Sequence, residues 1–146
     1  MKKINQILKV LIYKYIYLSV LTIVVLIYFY DKSQNVFVGF IENNSNVCNL
    51  AVISGTFIGF LLTIATVYFS IPNKSDFKKW FIENGHHKIF IRIILFGTIF
   101  FFIPIVTWII DNDGYYIWGL YSFIAGCLEV VGAIYYLYYL TVKNPL

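Results

Sequence analysis

The chain has 146 residues, of which 60% are hydrophobic, 21% are aromatic and only 12% are charged. This composition leaves too little polar surface to cover a water-soluble domain, so we expect lipid to be the main solvent of the protein. The net charge of +4 does not indicate direct binding of nucleic acid, because the Lys and Arg residues lie at the ends of apolar blocks and do not cluster on one face. Composition therefore predicts an integral membrane protein.

Four apolar blocks follow one another along the chain. Each reaches the ~20 residues that span a hydrocarbon core of about 30 Å. Lipid offers no hydrogen bonds to the backbone, so each block is expected to be helical. The predicted membrane helices cover about residues 10–30, 47–71, 89–110 and 115–141. We therefore predict an all-α, polytopic fold in which residues 1–146 form a single four-helix transmembrane domain.

The distribution of positive charge predicts the orientation of these helices. Every Lys and Arg except Lys32 falls in the N-terminal segment, in or just after the second loop, or in the C-terminal tail. Cytoplasmic segments carry such an excess, so both termini are predicted to be cytoplasmic. The first apolar block ends in Tyr-Phe-Tyr-Asp at 28–31, which favours a membrane helix over a cleaved signal peptide.

The loop between the second and third helices contains a further helical pattern. Ser75 is a suitable N-cap, Gly85 a suitable end, and three aromatic residues between them are spaced i, i+3 and i+4. The pattern predicts a short amphipathic cytoplasmic helix, which serves either as a linker lying in the lipid headgroups or as a docking surface for a cytoplasmic protein. The residues that form this candidate contact are Phe77, Lys78, Lys79, Trp80 and Phe81.

Glu129 is the only acidic residue inside the predicted hydrocarbon region. A charged group at that depth costs about 3 kcal/mol. Glu129 shares a stripe of alternating three- and four-residue spacing with Gly119, Ser122, Gly126 and Ala133, so another helix can approach closely and enclose the carboxyl. Three roles remain open for it: a hydrogen bond between helices, an ion or proton site, or a polar ring in an oligomer.

The second helix carries a further small-residue stripe. Gly55, Gly59 and Thr63 recur at intervals of four and include a G-x-x-x-G motif. Small residues at this interval let two helix backbones meet. The partner helix belongs either to the same four-helix unit or to another copy. Two separate small-residue stripes leave room for both arrangements, which favours a homo-oligomer.

The sequence does not predict an enzyme. It contains no H-E-x-x-H, no G-x-S-x-G and no Gly-rich phosphate loop, and no second carboxylate lies at the depth of Glu129 to share acid and base roles. His86 and His87 are adjacent, but no cysteine or carboxylate cluster accompanies them as metal ligands would require. We therefore predict neither a cofactor nor a bound metal.

In its size, its four predicted helices and its short basic inner loop, the chain resembles the small four-helix membrane proteins of bacterial antiphage defence systems, among them the membrane subunit of Kiwa. The segments that carry this resemblance are GFLLT at 59–63, SIP at 70–72, FKKW at 77–80 and IFIR at 89–92. The resemblance implies an oligomer that senses a disturbance of the membrane, or acts on the membrane, together with a cytoplasmic partner.

Three functions are consistent with these patterns. The first is a non-enzymatic sensor or effector subunit of a defence system, with the Trp80 loop contacting a cytoplasmic partner. The second is a small ion or proton channel or transporter with Glu129 in its pathway. The third is a toxin-immunity or holin-like membrane protein.

Overall fold

The chain is helical throughout the part that the computed structural model describes, and that part contains no strand. The described residues are 20–41, 44–72, 76–83, 85–110 and 113–142. The predicted all-α class is confirmed.

Six helices are present in the described residues. The described part of α1 covers residues 20–34. The other helices are Val38–Ile41 for α2, Asn44–Ser70 for α3, Asp76–Glu83 for α4, His86–Ile110 for α5 and Asp113–Val142 for α6. Three stretches of helix are long and apolar enough to cross a membrane by length and composition: Ser45–Ser70, His86–Ile110 and Gly114–Tyr138. These match the second, third and fourth predicted spans. Residues 10–19 of the first predicted span lie outside the described residues.

Helices α3 and α5 both begin earlier than the sequence pattern predicts. α3 starts at Asn44 and α5 at His86, whereas the apolar blocks start at residues 47 and 89. Hydropathy marks where the hydrocarbon begins, but a helix continues into the polar interface, where water and side chains satisfy its first N–H groups.

The connection from α1 to α2 is closed by hydrogen bonds centred on Asp31. Asn35 has a positive φ of 51°, and its N–H donates to the Asp31 carbonyl at 2.7 Å, which is a left-handed helix C-cap. The N–H of Phe37 donates to Asp31 Oδ1 at 2.8 Å. The backbone carbonyl of Asp31 thus ends α1, and its carboxylate holds the turn that leads into α2.

Helices α3, α5 and α6 form the centre of the bundle, and each contacts the other two. The ring of Phe57 on α3 stacks on Phe101 of α5 at a centroid distance of 5.1 Å. Further along α3, Tyr68 meets Phe90 at 5.1 Å. Residue numbers thus rise along α3 as they fall along α5, so these two helices are antiparallel.

Helix α6 also runs antiparallel to α5, and the two approach closely at glycine. A Cβ on Gly119 would lie 2.5 Å from Thr107 Oγ1 and 3.5 Å from Pro104 Cα. A Cβ on Gly126 would lie 2.8 Å from the ring of Phe101. Any larger residue at either position would push the helices apart, because side chains in a packed interior have no space to give.

Two groups of aromatic rings fill the bundle at different depths. The Phe101 layer lies toward the α5–α6 turn and consists of Phe57, Phe101 and Phe123. The Phe90 layer lies toward α4 and consists of Tyr68, Phe81, Phe90 and Tyr136. Between these layers the three central helices meet at Leu61, Gly97 and Glu129.

Candidate functional site

Glu129 lies in the middle of the bundle, between the two aromatic layers. Helix α6 points it at α5, where a Cβ built on Gly97 would be 3.2 Å from Glu129 Cβ. The residue is only 1% exposed. Its Oε1 atom is fully buried and has no hydrogen-bond partner among the described residues. The carboxyl is therefore enclosed by apolar side chains on a helix face that the sequence pattern identified.

The surroundings of Glu129 make its burial costly. A buried polar atom that has no hydrogen bond lowers the stability of the fold by about 1–3 kcal/mol. A side chain that lowers stability in this way is a typical candidate for a functional group.

The same core contains a second unsatisfied polar atom, on α3. Ser54 is completely buried, and its Oγ has no hydrogen-bond partner in the described residues. Ser54 lies seven residues before Leu61, which is level with Glu129, so about 10 Å of helix separates the two depths. The hydroxyl and the carboxyl therefore do not form one site.

The predicted partner-contact residues divide between the interior and the surface. Lys78 is only 6% exposed. Its Nζ donates to the carbonyl of Ile71 at 2.6 Å and lies 5.4 Å from the ring centroid of Tyr68. The positive charge therefore caps the carbonyl end of α3, where cations are favoured. Phe81 is fully buried in the Phe90 layer.

The remaining members of this set are differently placed. Lys79 is exposed, and Trp80 is 36% exposed with its ring 5.3 Å from that of His86. The side chain of Phe77 lies outside the described residues. The exposed face of α4, which a partner or a lipid headgroup would meet, thus consists of Lys79, Trp80, Ile82 and Glu83; we name it the Trp80 face.

The small-residue stripe of α6 faces two neighbours. Gly119 and Gly126 contact α5, and Ala133 is completely buried. Ser122 instead borders an apolar groove that α6 shares with α1. The part of the stripe around Glu129 is therefore turned toward α5.

The small-residue stripe of α3 lies on an open surface. A Cβ added at Gly55 or at Gly59 would meet nothing within 4 Å. Thr63 is also exposed, and its hydroxyl donates to the carbonyl of Gly59 at 2.9 Å. The described part of the bundle leaves this face without a partner helix.

The sequence pattern did not identify the contact between Asp31 and Tyr121. Asp31 is buried, and Oδ2 accepts a hydrogen bond of 2.5 Å from the Tyr121 hydroxyl. The rings of Tyr28 and Phe37 pack edge-on against Tyr121. This cluster ties α1 and the turn after it to α6. The two residues are 90 positions apart, so no local pattern links them.

Comparison with protein-family models finds no match, and comparisons with curated proteins and with solved structures find no significant match. Among the described residues, no group of three or more His, Cys, Asp or Glu side chains is arranged to hold a metal ion. The site must therefore be interpreted from its own chemistry.

Proposed function

We propose that the chain is a non-enzymatic protein of the bacterial inner membrane, with four membrane-spanning helices and both termini in the cytoplasm. It acts as a homo-oligomeric sensor or effector subunit of an antiphage defence system, together with a cytoplasmic partner. Three long apolar helices and the concentration of basic residues around α4 support this topology. A reporter fused after Leu146 tests it, and a periplasmic signal from that reporter would contradict it.

The observation that carries the proposal is the attachment of α4 to the bundle. Lys78 and Phe81 fix one side of the helix against α3 and α5. The opposite side, with Lys79, Trp80 and Ile82, is thereby held in one orientation at the predicted cytoplasmic end. A helix held in this way transmits movement of the membrane helices to whatever binds the Trp80 face, because packed elements shift together.

The open stripe on α3 supports assembly of several copies. Gly55 and Gly59 allow close approach of a second helix, and nothing within the described bundle occupies that space. In lipid, helices associate through this kind of close contact, since no hydrophobic driving force exists between apolar surfaces there.

The partner contact is tested by co-purification. The tagged chain is expressed with the soluble proteins that its neighbouring genes encode, and it is purified in mild detergent. We expect Trp80→Ala, combined with Ile82→Ala, to lose the partner and to lose protection against phage in a plaque assay. The matched control is Trp108→Ala, which removes an exposed tryptophan from α5 instead of α4. Retention of both the partner and protection in the Trp80 and Ile82 variant would reject the docking role.

Glu129 supports a second candidate function, a proton or cation pathway. The observation that favours it is the buried Oε1 atom without a hydrogen-bond partner. The two aromatic layers separate this carboxyl from the ends of the bundle. Conduction therefore requires these rings to move apart, and we propose a disturbance of the membrane as the trigger.

This second candidate is tested in proteoliposomes loaded with a pH-sensitive dye. Proton flux through the wild type should fall sharply in Glu129→Gln, which keeps the shape and removes the titratable group. Equal flux in wild type and variant would remove Glu129 from the pathway. A complete lack of flux in the wild type, with membrane tension applied, would reject the channel altogether.

A further inference from the structure

A groove of about 420 Å³ lies on the bundle surface between α1 and α6. The atoms that form its walls are almost entirely apolar. At one end, the ring centroid of Tyr28 is 6.2 Å from that of Trp118 and 5.7 Å from that of Tyr121. Away from these rings, the walls continue along Leu21 of α1 and Ala125 of α6. The groove therefore has an aromatic end and a hydrocarbon end.

A buried carboxylate is hydrogen-bonded to a wall residue at the aromatic end. Asp31 is only 4% exposed, and its Oδ2 atom accepts a hydrogen bond of 2.5 Å from the hydroxyl of Tyr121, which lines the groove. Its Oδ1 atom accepts the N–H of Phe37. Both oxygens act as acceptors, as they do in an ionised carboxylate. Both donors are uncharged, so these hydrogen bonds bring no positive charge to the carboxylate.

The aromatic end of the groove attracts a cation for two reasons. The face of an aromatic ring is electron-rich, and a cation within about 6 Å of the ring centroid is drawn to it. The Asp31 carboxylate places a full negative charge at the hydroxyl end of Tyr121, where apolar surroundings screen it less than water would. Trp118 is 56% exposed, so a ligand in the groove can reach its ring.

The same features disfavour other occupants. The described wall residues include no Lys or Arg, so the phosphate of a phospholipid would have no basic partner in the groove and would be repelled by Asp31. A neutral hydrocarbon would fit the walls but would gain nothing from the carboxylate. A ligand that matches both ends has an apolar body and a positive charge that needs no hydrogen bond.

We propose that this groove binds a hydrophobic organic cation of the quaternary ammonium or phosphonium class. The cationic centre lies against Tyr28, Trp118 and Tyr121, close to Asp31, and the apolar body lies along Leu21 and Ala125. The site uses neither the Trp80 face nor the carboxyl of Glu129, and it therefore goes beyond the function proposed above.

The experiment compares two ions of the same shape and opposite charge, tetraphenylphosphonium and tetraphenylborate. Saturable binding of each ion to the purified full chain in non-ionic detergent is measured by equilibrium dialysis, with chain-free micelles as the blank. We expect the cation to bind on the order of tenfold more tightly than the anion, because both the rings and the carboxylate favour positive charge. Equal binding of the two ions would overturn the site. Displacement of the cation by an equal concentration of phosphatidylethanolamine would assign the groove to lipid and also overturn it.

Three variants separate the components of the site. Asp31→Asn should abolish the preference for the cation, and circular dichroism checks that this variant stays helical. Trp118→Leu leaves the hydrogen bond between Asp31 and Tyr121 in place and should weaken binding of the cation several-fold; unchanged binding in this variant would contradict the site. Glu83→Gln removes an exposed acid from α4 and is the control for charge. An equal loss in the Glu83 variant would show a diffuse charge effect and reject the site.

Discussion

The backbone of Gly97 lies directly against Glu129. A Cβ added to Gly97 would be 3.2 Å from Glu129 Cβ and 2.9 Å from Leu61 Cδ1. One glycine on α5 therefore sets how closely α3 and α6 enclose the buried carboxyl, and any larger residue there must displace both neighbours.

We expect Gly97→Ala to lower the free energy of unfolding by about 1–3 kcal/mol, because the added methyl group overpacks this contact. Unfolding is followed by circular dichroism during titration of mixed micelles with a denaturing detergent. Gly39→Ala is the matched control: its Cβ meets nothing within 4 Å and it lies outside both small-residue stripes, so its stability should stay close to that of the wild type. Equal losses in both variants would contradict the described packing at Gly97.

Replacement of Glu129 by an apolar residue of similar length should stabilise the bundle. Glu129→Met removes the unsatisfied Oε1 atom and keeps an unbranched side chain, so we expect the free energy of unfolding to rise by about 1–3 kcal/mol. The same detergent titration measures this change. Glu129→Gln, which keeps a buried polar group, should remain close to the wild type.

A large loss of stability in Glu129→Met would show that the carboxyl has a partner that the described residues do not include. A gain in stability together with a loss of phage protection or of flux would identify Glu129 as a functional residue that is retained at the expense of stability.

Hydropathy predicted α3, α5 and α6 because each apolar block is long enough to determine its own structure in lipid. The spacing of Gly119, Gly126 and Glu129 also identified the α6 face that meets α5. Periodicity shows which residues share a face, but it does not show what that face contacts. Phe81 and Lys78 fit a surface helix by pattern, yet both are turned into the bundle.

The hydrogen bond between Asp31 and Tyr121 could not be predicted from the sequence, for a different reason. In the sequence, Asp31 is the polar residue that ends the first apolar block, whereas in the structure its role depends on a hydroxyl from another helix. Hydrogen bonds between distant residues depend on the packed arrangement of helices, which no local signal encodes.

The Asp31 contact gives a third prediction. Tyr121→Phe leaves the buried Oδ2 atom of Asp31 without its donor, which should cost about 1–3 kcal/mol in the free energy of unfolding. The double variant Asp31→Asn with Tyr121→Phe should cost less than the sum of the two single variants, as expected for residues in direct contact. Tyr30→Phe, at an exposed position next to Asp31, is the control. Strict additivity of the two substitutions would argue against the hydrogen bond.

Phe81 and Trp80 are neighbours with opposite environments, and they give a fourth prediction. Truncation of the fully buried Phe81 to Ala should cost about 3–5 kcal/mol and release α4 from the bundle, because the Phe90 layer loses a ring. Hydrogen exchange of the α4 amide groups detects this release. Trp80→Ala should leave α4 protected, since Trp80 lies partly at the surface. Similar exchange rates in the two variants would contradict the attachment of α4 through Phe81.

The open face of α3 gives the last prediction, which concerns assembly. Gly55→Leu combined with Gly59→Leu places two large side chains where a Cβ meets nothing in the described bundle, so each chain should fold normally. A second helix could no longer approach closely, and the oligomer should dissociate to smaller species. Single-molecule photobleaching in lipid bilayers counts the copies.

Ile53→Leu is the matched control for this change, because Ile53 is exposed on the same helix but lies two positions from Gly55 and so on a different helix face. It should leave the number of copies unchanged. Gly126→Leu should instead collide with the Phe101 ring and unfold the chain, which distinguishes packing within one bundle from packing between copies. An unchanged oligomer in the double glycine variant would place the contact between copies on another face.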